Sequence, residues 1–393
     1  MCLSDPSHRA SSSPDALPPP SVLRHIVDVH CHPTDTITPS EVVSELPIRI
    51  CAMATRQSDQ RLVADLAVAH PDKVTPCFGL SVYLASLFAG YHPWFTHWIS
   101  LEPAPSKCAH YASLFLDASP KTEHLAAFER LLPELPEPMP LASALTELRA
   151  NLTAFPSAML GEVGVDRACR IPFVPPADPP YPAGPDGDGM ARELSPFTTP
   201  LAHQLSVLEA QLAVAVELRR NVSVHSVKCQ QATVELLRRM RARHGDAWVH
   251  VSVDMHSCGL SAQTWADIQK EHPNVFLSLS TAINGRSPAH RALIAACASH
   301  RILVESDFHD VRHSTAYTVR MLRTVAEVKG WTVEDAWNDG LDGVGDEDRW
   351  GAVRRLEANW RRFEKGGHQP NRKKPRRKLL LEDWESDEED RVQ

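Results

Sequence analysis

A barrel of eight parallel strands alternating with helices is the fold that this 393-residue sequence predicts. Three observations point to it. Short runs rich in Val, Ile and Leu recur along the chain, as buried parallel strands require. Longer stretches between them carry apolar residues every three or four positions, the spacing of a helix with one buried face. Five of the runs end in His, Glu or Asp, which is where catalytic groups sit in such barrels.

The candidate strands are 25–31, 48–54, 74–79, 157–164, 221–225, 247–255, 275–280 and 301–306. Between them helices are expected within 57–70, 121–132, 140–153, 230–243, 261–270, 288–299 and 314–329. The clearest helix carries Leu201, Leu205, Leu208, Leu212 and Val216 ahead of the fifth strand. Segment 171–190 is too rich in Pro and Gly for either element and reads as a long loop at the catalytic face. Residues 1–22 and 366–393 read as tails, which leaves 23–365 as one barrel domain. The apolar run 80–90 reads as an insertion after the third strand, and its deletion is expected to leave the fold intact.

Composition narrows the class of protein. The chain is 43% hydrophobic and 23% charged, ordinary for a globular domain with a sizeable core. No run of about 18 apolar residues offers a transmembrane helix, and the first residues carry no secretory signal, so the expected location is cytoplasm or nucleus. The nine cysteines are scattered without a Cys-x-x-Cys pair, against a disulfide framework or a thiolate zinc site. A net charge of −8 gives no overall attraction to nucleic acid, although 371–378 is a basic run and 382–390 an acidic one. The basic run suits a nuclear import signal, a DNA-contacting arm or a solvated tail.

His30 and His32 close the first run, and residues two apart on a strand point the same way, so both imidazoles can reach one metal. Glu162 closes the fourth run, His225 the fifth, His256 the sixth and Asp307 the eighth. All six should converge at one rim. Burying such groups costs several kcal/mol unless they are paired or metal-bound, and a metal centre explains them together better than packing does. Imidazole and carboxylate donors suit zinc, manganese, magnesium or iron. A carboxylate between two groups of histidines can bridge two divalent ions, and Glu162 is the candidate bridge. Arg167 and Arg170 follow the Glu162 motif and suit phosphate oxygens, or serve as solvated loop charges.

These residues lie in Asp-Val-His-Cys-His at 28–32, Gly-Glu-Val-Gly-Val-Asp at 161–166, Val-His-Ser at 224–226, Met-His-Ser at 255–257 and Glu-Ser-Asp at 305–307. In that order they resemble the TatD-related deoxyribonucleases, metal-dependent hydrolases of the amidohydrolase type. The resemblance implies that His30, His32, Glu162 and Asp307 hold one divalent ion and Glu162, His225 and His256 a second. It also implies that Asp307 takes the proton of the attacking water and that the substrate is a phosphodiester in DNA. Gly90-Tyr91-His92-Pro93 resembles the family's Gly-x-His-Pro and implies a substrate contact at His92. The family's Arg after the fifth-strand His-Ser is absent, so a phosphate contact is lost or passed to Lys228, and the family's Pro after the last Asp is absent too.

The nearest branch resembles fungal members, some named for binding a helical-repeat subunit of the anaphase-promoting complex. That implies a second reading, a barrel that serves as a protein-interaction module. A third is a hydrolase of small amides or esters, since two metals polarise carbonyl and phosphoryl oxygens alike.

Overall fold

A computed structural model describes residues 16–80, 96–103, 106–175, 178–181, 193–341 and 347–370. Eight strands form one sheet: β1 (Val27–Cys31), β2 (Arg49–Met53), β3 (Val74–Phe78), β4 (Met159–Asp166), β5 (Val222–Val227), β6 (Val253–Met255), β7 (Val275–Ser280) and β8 (Ile302–Glu305). They lie in chain order and every neighbouring pair is parallel. The seam between β8 and β1 is drawn together just past the end of β8, where Asp307 N–H donates to His30 O (2.9 Å) and Ser306 N–H donates to Asp28 Oδ1 (2.8 Å).

Alternation along the strands sorts the side chains into two layers. Ile50, Ala52, Val222, Val224, Leu277 and Val304 face outward and pack with helix residues such as Leu212, Met240, Trp265 and Leu322. Val29, Cys51, Met53, Cys77, Phe276 and Leu303 fill the interior, and Trp360 and Phe363 from the helix Ala352–Lys365 join them. That helix stops the end of the barrel opposite the site. Its role was not foreseen from the sequence, because its interior-facing aromatics sit among five Arg and Lys residues that suggest a solvated segment.

Two bulges break the alternation. Between Asp28 and Cys31 the register of β1 on β2 slips by one residue, and the same happens between Leu160 and Val163 of β4 on β5. Interior Val27 and Val29 would otherwise put Cys31 inside and His30 and His32 outside, yet Cys31 packs in the outer layer. Likewise Met159 faces inward and Val163 and Val165 outward, so the bulge is what turns Glu162 into the barrel. Both bulges stand next to the residues that matter most for the site.

The connection from β3 to β4 and the loop after β4 build a small lobe, in which Tyr111, Phe115, Phe128 and Leu131 pack on Ile171, Phe173 and Phe197. Tyr181 pins the long loop to the rim: its N–H donates to Asp35 O and its carbonyl accepts from Ile37 N–H, both at 2.8 Å.

Several expectations need correction. The sixth strand spans only Val253–Met255, because Asp246–His250 forms a helical turn in which Trp248 and Val249 are buried. Helices at Ser40–Ser44 and Lys107–Phe115 were not anticipated. The packed chain runs past the 23–365 boundaries: Val22 is buried ahead of the start, and Gly367 N–H donates to His250 O (2.7 Å) beyond the end. Of the run 80–90 only Leu80 lies within the described residues. Gln211 fastens it through both its backbone groups, at 2.8 and 2.9 Å. The basic and acidic runs beyond 370 lie outside the described residues.

Candidate metal centre

At the carboxyl ends of the strands the six predicted residues meet, each less than 10% exposed. Glu162 stands in the middle with its two oxygens facing different partners. Oε2 lies 3.6 Å from His30 Nε2 and 3.5 Å from His32 Nε2. Oε1 lies 2.8 Å from His225 Nδ1 and 3.1 Å from His256 Nε2. Asp307 closes the first set, its Oδ1 3.5 Å from His32 Nε2 and 3.9 Å from His30 Nε2.

Within each set the nitrogens themselves are 3.2 Å apart, His30 Nε2 to His32 Nε2 and His225 Nδ1 to His256 Nε2. Donors around a tetrahedral zinc with bonds of about 2.0–2.1 Å stand about 3.3 Å from one another, close to both sets. Glu162 Oε2 and Asp307 Oδ1 are buried without a hydrogen-bond partner among the described residues. Buried oxygens left so are costly, and a cation between them and the imidazoles removes the cost. The residues present therefore fit divalent metal.

The local charge agrees. Burial alone would raise the Glu162 carboxyl, but His256 and His225 outweigh it and hold the group well below the usual range. Burial pushes His30 down to about 3, with His256 adding to the effect, so that imidazole is neutral and free to offer a lone pair. His225 is raised to about 10 against its burial by the Glu162 and Asp166 carboxylates. Asp307 is held low by His32, His30 and His256, again against burial.

A second layer that sequence reading missed supports the first. Ser223 Oγ lies 2.8 Å from His30 Nδ1 and fixes that ring. Asp166 Oδ2 faces His225 Nε2 at 3.8 Å. Ser257 Oγ donates to Asp307 Oδ2 at 2.6 Å, and Glu305 accepts from the Ser257 N–H at 2.7 Å. Deeper still, the single hydroxyl of Ser278 lies 2.5 Å from Glu305 Oε2 and 2.7 Å from Asp254 Oδ2. Burial raises both carboxyls, Asp254 to about 7, so a shared proton accounts for the contact. Ser223, Asp254 and Glu305 each precede a first-layer residue by two positions, so alternation alone would have flagged them.

The predicted substrate contacts fare unevenly. Asp166 and Val227 are paired in the sheet, and Arg167 N–H donates to Val227 O, so Arg167 and Lys228 emerge side by side beyond His225, both exposed. Arg170 does not join them. Its guanidinium donates to Ser195 O (2.8 Å) and Leu194 O (3.0 Å), tying the long loop together. His92 lies outside the described residues.

The family model described as TatD related DNase matches residues 27–339. The chain belongs to that family. Among its relatives, the Cut9-interacting protein scn1 of Schizosaccharomyces pombe is 27% identical, with 80% of this chain and 95% of that protein covered. An uncharacterized deoxyribonuclease of Saccharomyces cerevisiae is 25% identical, covering 81% of this chain and 95% of its own. Of solved structures, the TatD homolog YJJV from Escherichia coli aligns with a TM-score of 0.49 at 14% identity, over 88% of this chain and 100% of that one. The family model and the strand order together make a TatD-family barrel the frame for the site. Among the described residues no helix is long and apolar enough to cross a membrane.

Proposed function

We propose that this TatD-family hydrolase cleaves phosphodiester bonds in DNA with two divalent cations, zinc, magnesium or manganese. His30, His32, Glu162 and Asp307 would hold one and Glu162, His225 and His256 the other. The observation that carries the reading is the division of Glu162, one oxygen to each set of nitrogens at 2.8–3.6 Å. When bound, the cations supply a water of lowered pKa and neutralise charge on the phosphoryl oxygens.

The chain's own residues do the rest. Asp307 receives the proton of the attacking water, for which its carboxyl, held low by three histidines, stands ionised. Arg167 and Lys228, exposed together beside His225, hold phosphate oxygens of the backbone. His92 is a further proposed substrate contact.

The test is nicking of DNA by the metal-stripped chain with magnesium, manganese or zinc restored, beside Asp307→Ala. Metal-dependent nicking should fall on the order of 10²–10⁴-fold in the variant, the usual worth of a positioned proton acceptor. Stoichiometric metal uptake without nicking by any of the three would overturn the DNA reading and leave a hydrolase of small amides or esters. The name of the fission yeast relative, a Cut9-interacting protein, favours one further reading, a barrel that serves as a protein-interaction module. Such binding should survive Asp307→Ala in a pull-down.

A further inference from the structure

We propose that Ser257 is the positioning residue that decides which oxygen of Asp307 faces the metals, an inference that rests on the metal-centre reading above. Asp307 follows β8 in a left-handed backbone conformation, φ +49°. Its N–H is held by His30 O, which anchors the backbone but leaves the side chain free to rotate. Among described residues outside the metal centre, the close hydrogen-bond partner of its carboxylate is Ser257, whose hydroxyl lies 2.6 Å from Oδ2. With Oδ2 occupied, Oδ1 turns toward His30 and His32 and has no hydrogen-bond partner of its own.

Ser257 is itself held on three sides. Its backbone is left-handed, φ +40°, a conformation in which a serine is uncommon. Glu305 stabilises that turn by accepting the Ser257 N–H at 2.7 Å, and its Oε1 lies 2.8 Å from the hydroxyl as well. Ser280 Oγ stands 2.8 Å from the same hydroxyl and can donate to it, which frees the Ser257 proton for Asp307. The hydroxyl has one proton for two carboxylate oxygens, and the shorter contact, 2.6 Å to Asp307 Oδ2 against 2.8 Å to Glu305 Oε1, favours donation to Asp307. Ser257 hydrogen-bonds no other proposed ligand and acts through Asp307.

The experiment is a zinc titration against a competing chelator in the parent chain, Ser257→Ala, Asp307→Ala, the double variant and Ser257→Cys. Ser257→Ala should weaken by about 10–100-fold the site that Asp307→Ala weakens, the usual cost of losing a partner that orients a ligand. The site lost in His225→Ala should keep its affinity. The double variant should bind no more weakly than Asp307→Ala alone, because both remove one interaction. Ser257→Cys, a weaker donor of similar size, should fall between parent and Ser257→Ala. Should Ser257→Ala fail to fold, as melting of the metal-free forms will tell, Ser257→Cys and Glu305→Gln carry the same comparison.

Equal affinity at both sites in Ser257→Ala, or losses that add with those of Asp307→Ala, would overturn this inference alone. A parent chain that takes up no zinc would overturn the metal-centre reading and this inference with it.

Discussion

Gly164 shows how much of this site hangs on single atoms. It lies between Glu162 and Asp166 in β4 and pairs with His225 across the sheet. A Cβ built on it would collide with the backbone carbonyl and Cβ of His225, atoms that cannot move without moving a proposed ligand. Gly164→Ala should therefore cost more than the ordinary 1–3 kcal/mol of overpacking and should also displace His225. Thermal melting reads the first effect, and zinc affinity at the second donor set reads the other; an alanine variant with parental values for both would refute the close-approach argument. At this scale the six first-layer residues were legible, because His, Glu and Asp at the ends of apolar runs are conspicuous. Ser257 was not, since serine just past a strand end has many bland uses and only distance shows which partner it serves.

Strands were legible wherever an apolar residue recurs at every second position, as in β2, β5 and β7. The stretch 247–255 misled because Trp248, Val249, Val251 and Val253 are apolar in a spacing that a strand and a buried helical turn share. The helix Ala352–Lys365 was missed for the opposite reason. Its Arg and Lys residues dominate the composition, while Val353, Leu356, Trp360 and Phe363 form one buried stripe. Trp360, 2% exposed, stacks on Phe363 in the barrel interior. Trp360→Ala should destabilise the chain by about 3–5 kcal/mol, the range for emptying a large aromatic site in a core. Denaturant titration checks this, and a shift under about 1 kcal/mol would mean that the plug is dispensable.

For the whole molecule, the proposed metal centre would gather ligands from β1, β4 and β5 and from just past β1, β6 and β8, so it would link strands from all around the barrel. Ions bound there stabilise the folded chain by mass action, about 4 kcal/mol at a thousandfold excess over the dissociation constant. Chelation should accordingly lower the melting temperature by several degrees, and restored zinc or manganese should recover it. The recovery should vanish in a His30→Ala, His225→Ala double variant, which breaks both donor sets. Chelation without any effect on melting would argue against a loaded centre.

The order of strands and the identity of their terminal polar residues were determined by the sequence itself, because apolar runs bounded by turns carry local information that needs no partner. Which way those residues point was decided only in three dimensions. Strict alternation from the start of β1 or β4 would have turned His30, His32 and Glu162 out of the barrel. The bulges that reverse it arise from pairing with β2 and β5, and a pairing register is a property of two strands, written in neither one alone.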